Sequence, residues 1–516
     1  MSDERSYARE ALLVHYFFDA DRLRLKETRR LAVLWEACAQ AGMDRSPSPG
    51  GDLSLPPDPG RAVGARPVRQ RTDATARRQA MLYRLQGVIG LAVMLAADEG
   101  PGRAAAQSAA RLRALADDWD TACARAAAAR DGSDDGTLIG SVRIHRSLVL
   151  TDGAVPVDLE GADLAAVAEE FRGELAPQSM ASQPVGLADR LAMWEFLRPD
   201  EAFPVDRTLF TSGAATDEQE GLLDDWTWTR VDGQLVPLTR YLVNAATLRD
   251  QYRVRVAGEA LLADRRHRLQ QQGEELTREW QQVLVGQAAG TRIGRRDLTR
   301  CERITVRAQS LLAEERLASA ATGDLHAMIR TLEISADGMR VLGAAPDGTP
   351  RILERDAECH ALLSPVLDDD VTYLAIAREQ VAETSRIASE TAAQHLQRHQ
   401  QYLTLLQTSV IGALLMALTA VQALAYKLPL PVPLHAPLIA LLGSLGLGLP
   451  LLVARRWRGG AGGRVGSVLE VASLAATGSA AGWLAGRALG LSPLLTLGGA
   501  VLFASTGAWL TRRSSV

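Results

Sequence analysis

Cys359 and His360 are the first residues that could do chemistry, since a thiol beside an imidazole is the raw material of a cysteine nucleophile. Adjacent residues on a helix or strand point apart, however, and a working Cys–His pair must meet in space. A plain buried cysteine is the better reading. His395 and His399 stand four apart, the spacing of metal ligands on one helix face. No acid or third histidine completes that turn, and the surrounding Gln394, Gln397, Gln400 and Gln401 read as a solvated interface. Gly286, Gly290 and Gly294 recur every fourth residue, but no Gly-Lys-Ser/Thr follows, which argues against a phosphate loop. Asp368, Asp369 and Asp370 could attract a cation, yet acids at a helix start also suit its positive dipole end, and that reading is preferred. Trp226 and Trp228 could grip a ligand, but packing within a helical bundle accounts for them. No Walker A, HExxH, GxSxG or paired-cysteine motif occurs. The expectation is a non-enzymatic protein with no catalytic residue, no cofactor-binding residue and no metal site.

Two further features belong to membrane chemistry. Glu470 is the only acid inside the apolar C-terminal segments. It reads either as an ion-path or gating residue or, preferably, as an interfacial glutamate one turn inside a membrane edge. Gly478, Gly482 and Gly486 form GxxxGxxxG, the spacing for close helix contact. In an Ala- and Gly-rich chain, a true packing face and chance both remain open.

These residues need elements to hold them. The stretch Val371 to Tyr426 starts as a polar helix and becomes apolar without a break, and Thr408 to Tyr426 contains no Asp, Glu, Lys or Arg. At about 1.5 Å per residue it nearly crosses a hydrocarbon core of about 30 Å. Further apolar segments give four expected spans, about 405–426, 435–454, 466–486 and 491–510. Arg455, Arg456, Arg458 and Arg464 lie between the second and third, and Arg512 and Arg513 follow the fourth. The positive-inside rule puts both clusters, and both termini, on the cytoplasmic side. The implied location is the cell membrane, with lipid as a partner.

Upstream of 216 the pattern is mixed. Apolar runs at 11–18 and 88–95, the alternating stretch 138–150, and shorter segments at 191–197 and 207–211 read as strands. Helices are expected at 21–41, with Gly42 as stop, at 77–85, at 103–130 and at 162–171. Residues 44–72, rich in Pro and Gly, read as a long surface loop. From 217 the strand signal ends. A short helix at 217–230 is followed by long ones at 237–284 and 296–342 and a third beginning near Pro365 or Asp368, which should pack as an antiparallel bundle. The fold class is therefore α+β: a mixed α/β domain over 1–215, a long-helix bundle over 216–404, and an all-α membrane domain over 405–516.

The totals fit that picture. A net charge of −4 over 516 residues argues for no nucleic-acid partner. Lysine occurs only at 26 and 427. Cys38, Cys123, Cys301 and Cys359 form no CxxC pair and read as reduced thiols of a cytoplasmic body. The N-terminal MSDERSYARE carries no signal-peptide hydrophobic region.

Two resemblances follow. An α/β body, antiparallel helices and a long helix entering the first span resemble CorA-type magnesium channels. Those channels end that span in Gly-Met-Asn, where this sequence reads Gln422-Ala423-Leu424-Ala425-Tyr426-Lys427. The missing motif argues against magnesium transport, but an ion channel or transporter of this build, with a homo-oligomeric stalk, stays open as the alternative reading. Secondly, LLVHYFF with LWEACAQAGM, then WTWTR, PLTRYLVNAATLRDQYRV, TLEISADGM and QTSVIGALLMALTAVQALAYKLPLPVPL resemble the actinobacterial CASPASE/TPR repeat-associated proteins of CATRA conflict systems. That resemblance implies a membrane component of a defence module working with a caspase-like protease and TPR proteins. It transfers no site residue, and the caspase signature around a catalytic cysteine is absent.

Overall fold

A computed structural model of the chain describes residues 5–25, 29–56, 67–129, 136–150, 162–188, 191–228, 234–288, 295–342, 353–425, 431, 434–458, 464–490 and five scattered residues beyond 490. It divides into two compact units: residues 1–263 with 321–373, and residues 264–320 with 374–516.

The first unit is built on a nine-stranded sheet, β1 (Ser6–Asp19), β2 (Pro67–Thr72), β3 (Arg78–Leu85), β4 (Val88–Ala96), β5 (Leu138–Leu150), β6 (Met180–Ala181), β7 (Val185–Ala188), β8 (Leu191–Leu197) and β9 (Asp206–Gly213). Its order is β2-β3-β4-β1-β5-β9-β8-β6, with β7 also on β8. β5 and β9 pair in parallel and the other pairs are antiparallel. Of residues 77–85, expected to be helical, 78–85 are strand β3. Leu85 pairs with Val88 across the two-residue turn Gln86-Gly87, where Gln86 has φ 54°. That is the backbone of a tight hairpin, and pairing with β4 overrides the helix-forming residues of RQAMLYRL. Part of the expected 44–72 loop is strand β2, whose residues 67–72 pair with β3.

Helices α1 (Ala20–Leu25), α2 (Arg29–Gln40), α3 (Ala105–Ala129) and α4 (Ala162–Leu175) complete this unit's sandwich. Alternate β1 residues Leu12, Val14, Tyr16 and Phe18 form one core with Leu31, Leu34, Trp35 and Cys38 of α2 and Trp119 of α3. The Trp119 indole donates to the Tyr16 hydroxyl at 2.9 Å. Gly42, at φ +90°, ends α2 as its position suggested. A second core joins Tyr7, Phe171, Trp194 and Phe210.

α5 (Asp217–Thr227) is N-capped by Thr216, whose hydroxyl accepts from the Gln219 amide at 3.2 Å. Trp228, just beyond, is buried and donates to Gln79 of β3 at 3.0 Å, so it docks on the sheet and not in a helical bundle. The long helices are α6 (Pro237–Ala288), α7 (Arg295–Leu342) and α8 (Glu354–Ala425). α6 begins at Pro237 as expected, and its Tyr241, Ala245 and Leu248 are buried. Its Ala246 lies so close to β5 that a Cβ at Gly140 would stand 3.5 Å from it and 3.0 Å from the Val205 carbonyl oxygen.

α8 starts eleven to fourteen residues earlier than the sequence suggested, and Pro365 is interior to it. The lost backbone bond there is offset by burial of the flanking Leu363 and Leu367. Asp368–Asp370 therefore do not open the helix; Asp370 pairs with Arg255 of α6 at 3.0 Å.

In the second unit the three long helices run antiparallel. Arg265 meets the Leu317 carbonyl and Arg307 meets Glu279, so position on α7 falls as position on α6 rises. Likewise Arg378 meets Ser319, and Ser385 meets the Ala308 carbonyl. Leu374, Ala377, Val381 and Ala388 of α8 are buried there. α9 (His435–Arg458) and α10 (Arg464–Ala488) pack on each other. Among the described residues no helix is long and apolar enough to cross a membrane. Most of the fourth expected span lies outside them.

Candidate functional site

Five side chains from four elements of the first unit meet in a buried cluster. Glu195 lies in the middle of β8, between the core aromatics Trp194 and Phe196. It faces Arg207, near the start of β9, which donates Nε to Glu195 Oε1 at 2.8 Å and Nη2 to Oε2 at 3.0 Å. From α6, Arg249 donates Nη2 to Glu195 Oε2 at 3.2 Å and Nε to Asp356 Oδ1 at 2.8 Å. Asp356, in the first turn of α8, also receives Arg207 Nη2 at 3.2 Å and the Tyr241 hydroxyl at 2.7 Å. That hydroxyl accepts in turn from the Leu353 amide at 3.0 Å. The side chains of Arg249 and Asp356 are fully buried, and those of Glu195 and Arg207 nearly so.

Two guanidinium groups thus meet two carboxylates, and the cluster is neutral. Burial alone would raise the Asp356 pKa; Arg207, Arg249 and the Tyr241 hydrogen bond overcome it and hold the carboxyl below its usual range. Burial disfavours the charged form of Arg207, but Asp356 and Glu195 raise its pKa further. Tyr241 is pushed well up by burial, then by Asp356. Near neutrality Asp356 therefore stays ionised, and Arg207 and Tyr241 stay protonated. Such a cluster is a joint and not an acid–base pair: it specifies geometry, and losing one partner leaves a buried charge uncompensated.

A second, more exposed set of ion pairs holds α5. Arg9 sits in the β-bulge of β1 at φ 58° and reaches Asp217 at 2.8 Å and Glu220. Arg146 of β5 reaches Asp224 and Glu220.

The candidates singled out by spacing do not converge. Cys359 is buried, and burial first of all pushes its thiol up to about 12, so the thiolate a nucleophile needs is not formed near neutrality. His395 is buried on α8, and the side chain of His399 lies outside the described ones. No cluster of three metal-type side chains occurs among the described residues. Gly482 and Gly486 are buried on α10 and Gly478 is half-buried, while the side chain of Glu470 is not described.

Family models divide the chain along this cluster. The CASPASE and TPR Repeat-Associated N-terminal domain, CATRA-N, matches residues 11–231, and the corresponding C-terminal domain, CATRA-C, matches residues 236–381. The chain is a CATRA protein. Its CATRA-N domain supplies Glu195 and Arg207, and its CATRA-C domain supplies Tyr241, Arg249 and Asp356, so the cluster stitches the two family domains together. Residues 382–516 lie beyond both matches. No curated protein and no solved structure matches the chain.

Proposed function

We propose that this CATRA protein is a non-catalytic coupler between caspase- and TPR-type partner proteins and a membrane. The CATRA domains receive the partner, and α8 carries the event into the lipid bilayer. Its apolar end, with α9, α10 and the apolar segment after them, forms the membrane part, and both termini face the cytoplasm. The output is membrane permeabilisation.

The observation that carries this reading is the composition of α8. One unbroken helix begins in the buried cluster at Asp356 and ends in a run without charge from Thr408 to Ala425. On that run Val410, Ile411, Leu414, Leu415, Met416, Leu418 and Val421 are 41–66% exposed. These seven side chains leave roughly 600 Å² of apolar surface uncovered, roughly 15 kcal/mol of unrealised burial at about 25 cal/mol per Å². A patch that large calls for an apolar environment. The described helices are individually too short or too polar to span a bilayer; the apolar sequence continues past Ala425 and again from Leu491, beyond them.

The test expresses the full chain and a chain ending at Gln407 beside the partner proteins, with membrane flotation and membrane potential as readouts. The full chain floats with membranes and depolarises the cell on partner activation, and the short chain does neither. A full chain left in the aqueous fraction overturns the membrane reading. Unchanged potential on activation overturns permeabilisation.

A further inference from the structure

The connection from β8 to β9, residues 198–205, the first residue of β9 and one side of α6 line a cleft of about 460 Å³, within the size range of small-ligand sites. Phe203 and Tyr252 meet edge to face in its wall, 4.9 Å apart and at 78°. Val256 beside them is 49% exposed. Among the described residues Arg198 and the Tyr252 hydroxyl have no hydrogen-bond or ion-pair partner, whereas Arg253 is taken up by Asp250 and the Leu138 carbonyl. Asp206 accepts from Ser141 at 2.6 Å. The cleft therefore offers an aromatic and aliphatic wall, one free guanidinium and a free hydroxyl. Glu201 and Asp206 also line it, which is the wrong balance for a phosphate-rich ligand.

Its floor is tied twice to the first turn of α8. Arg249 donates Nη1 to the Pro204 carbonyl at 2.9 Å while its Nε holds Asp356. The Arg355 guanidinium lies 5.9 Å from the Phe203 ring centroid. We propose that this cleft is the trigger site. It takes a short segment of a partner protein in which an apolar side chain stands next to a carboxylate, the first on the Phe203–Tyr252–Val256 wall and the second on Arg198. Filling it shifts residues 203–204 and so acts on Arg355 and Asp356. The transmission rests on reading α8 as the coupler; the binding does not.

The probes are acetylated and amidated tetrapeptides Gly-X-Z-Gly, with X Leu, Phe or Trp and Z Asp or Asn, titrated calorimetrically into the full chain in detergent. At least one Asp peptide binds saturably, and its Asn counterpart binds tenfold or more weaker. Arg198→Ala brings the Asp peptide to the Asn level, Val256→Asp removes binding, and Arg113→Ala, an exposed arginine elsewhere, changes nothing. Saturation alters amide exchange over 354–367. No saturable binding, or binding indifferent to Arg198 and Val256, overturns the site. Arg198-dependent binding with unchanged exchange over 354–367 overturns the transmission. Binding as expected in a chain that fails to float with membranes leaves the site standing and sinks the coupler reading alone.

Discussion

Asp356→Ala removes the one acceptor that joins both arginines of the cluster to α8. Three hydrogen bonds end on its carboxylate, from Arg207, Arg249 and Tyr241. The variant leaves two buried guanidinium groups facing only Glu195, a net buried positive charge, and leaves Arg249 Nε and the Tyr241 hydroxyl without an acceptor. Breaking a buried pair in this way costs about 3–5 kcal/mol, against about 1–3 kcal/mol for Tyr241→Phe, which removes a neutral donor. The two changes touch the same oxygen, so their effects are non-additive by about 0.5–3 kcal/mol. The assay is thermal unfolding of the wild type, both single variants and the double variant, with amide exchange over 353–367 read in parallel. Exchange there rises in Asp356→Ala well before the sheet strands open. A cost under about 1 kcal/mol for Asp356→Ala, or strictly additive effects, would refute the cluster as the joint of α8.

Acid should weaken the first unit in a separate window. Burial lowers His15 and His145 to about 4, so both rings are neutral in the fold, while the unfolded chain takes up protons below about 6.5. Stability is therefore lost as pH falls from about 6.5 towards 4, by about 1.3 kcal/mol per histidine between pH 7.5 and 5.5. His15→Leu with His145→Leu removes most of that dependence in thermal melts, and an unchanged dependence in the double variant contradicts the assignment. Asp356, with its lowered pKa, keeps its contribution through this window and loses it only below the usual carboxylate range. Arg146→Ala should free α5, raising proteolytic cleavage within 217–227 while the sheet stays protected; equal protection of α5 in the variant counts against the clasp. Cys359 should resist iodoacetamide at pH 8 in the folded chain and react only on unfolding, and rapid labelling would contradict its burial.

Much of the sheet was legible because β1, β4 and β8 carry apolar runs buried on both faces and β5 alternates strand-forming residues. β3 was not, because Arg, Gln, Ala, Met and Leu favour helix and only its neighbour β4 makes it a strand; the signal available was Gln86-Gly87 between two apolar runs. The start of α8 was hidden by Pro365, whose usual role as a helix boundary is overridden by packing of Leu363 and Leu367. The ion cluster was illegible for a deeper reason. Its bonded charges lie 12 to 149 residues apart, and Arg207, Arg249 and Asp356 each pass for a surface residue. Only Glu195 betrayed itself, as an acid inside the apolar strand LAMWEFL. The residues whose spacing did suggest chemistry, Cys359 with His360 and His395 with His399, sit on one helix, where spacing sets a face but cannot bring a third partner.

The most direct measurement of α8 as a link into lipid is a spin label placed in turn at Leu414, Leu418 and Gln401 of the full chain in liposomes. Three of the four native cysteines are buried and Cys123 is half-buried, so labelling at an introduced cysteine is selective. Leu414 and Leu418 should be relaxed by oxygen and shielded from a water-soluble nickel chelate, and Gln401 the reverse. Equal access of the nickel chelate at all three positions would contradict the account.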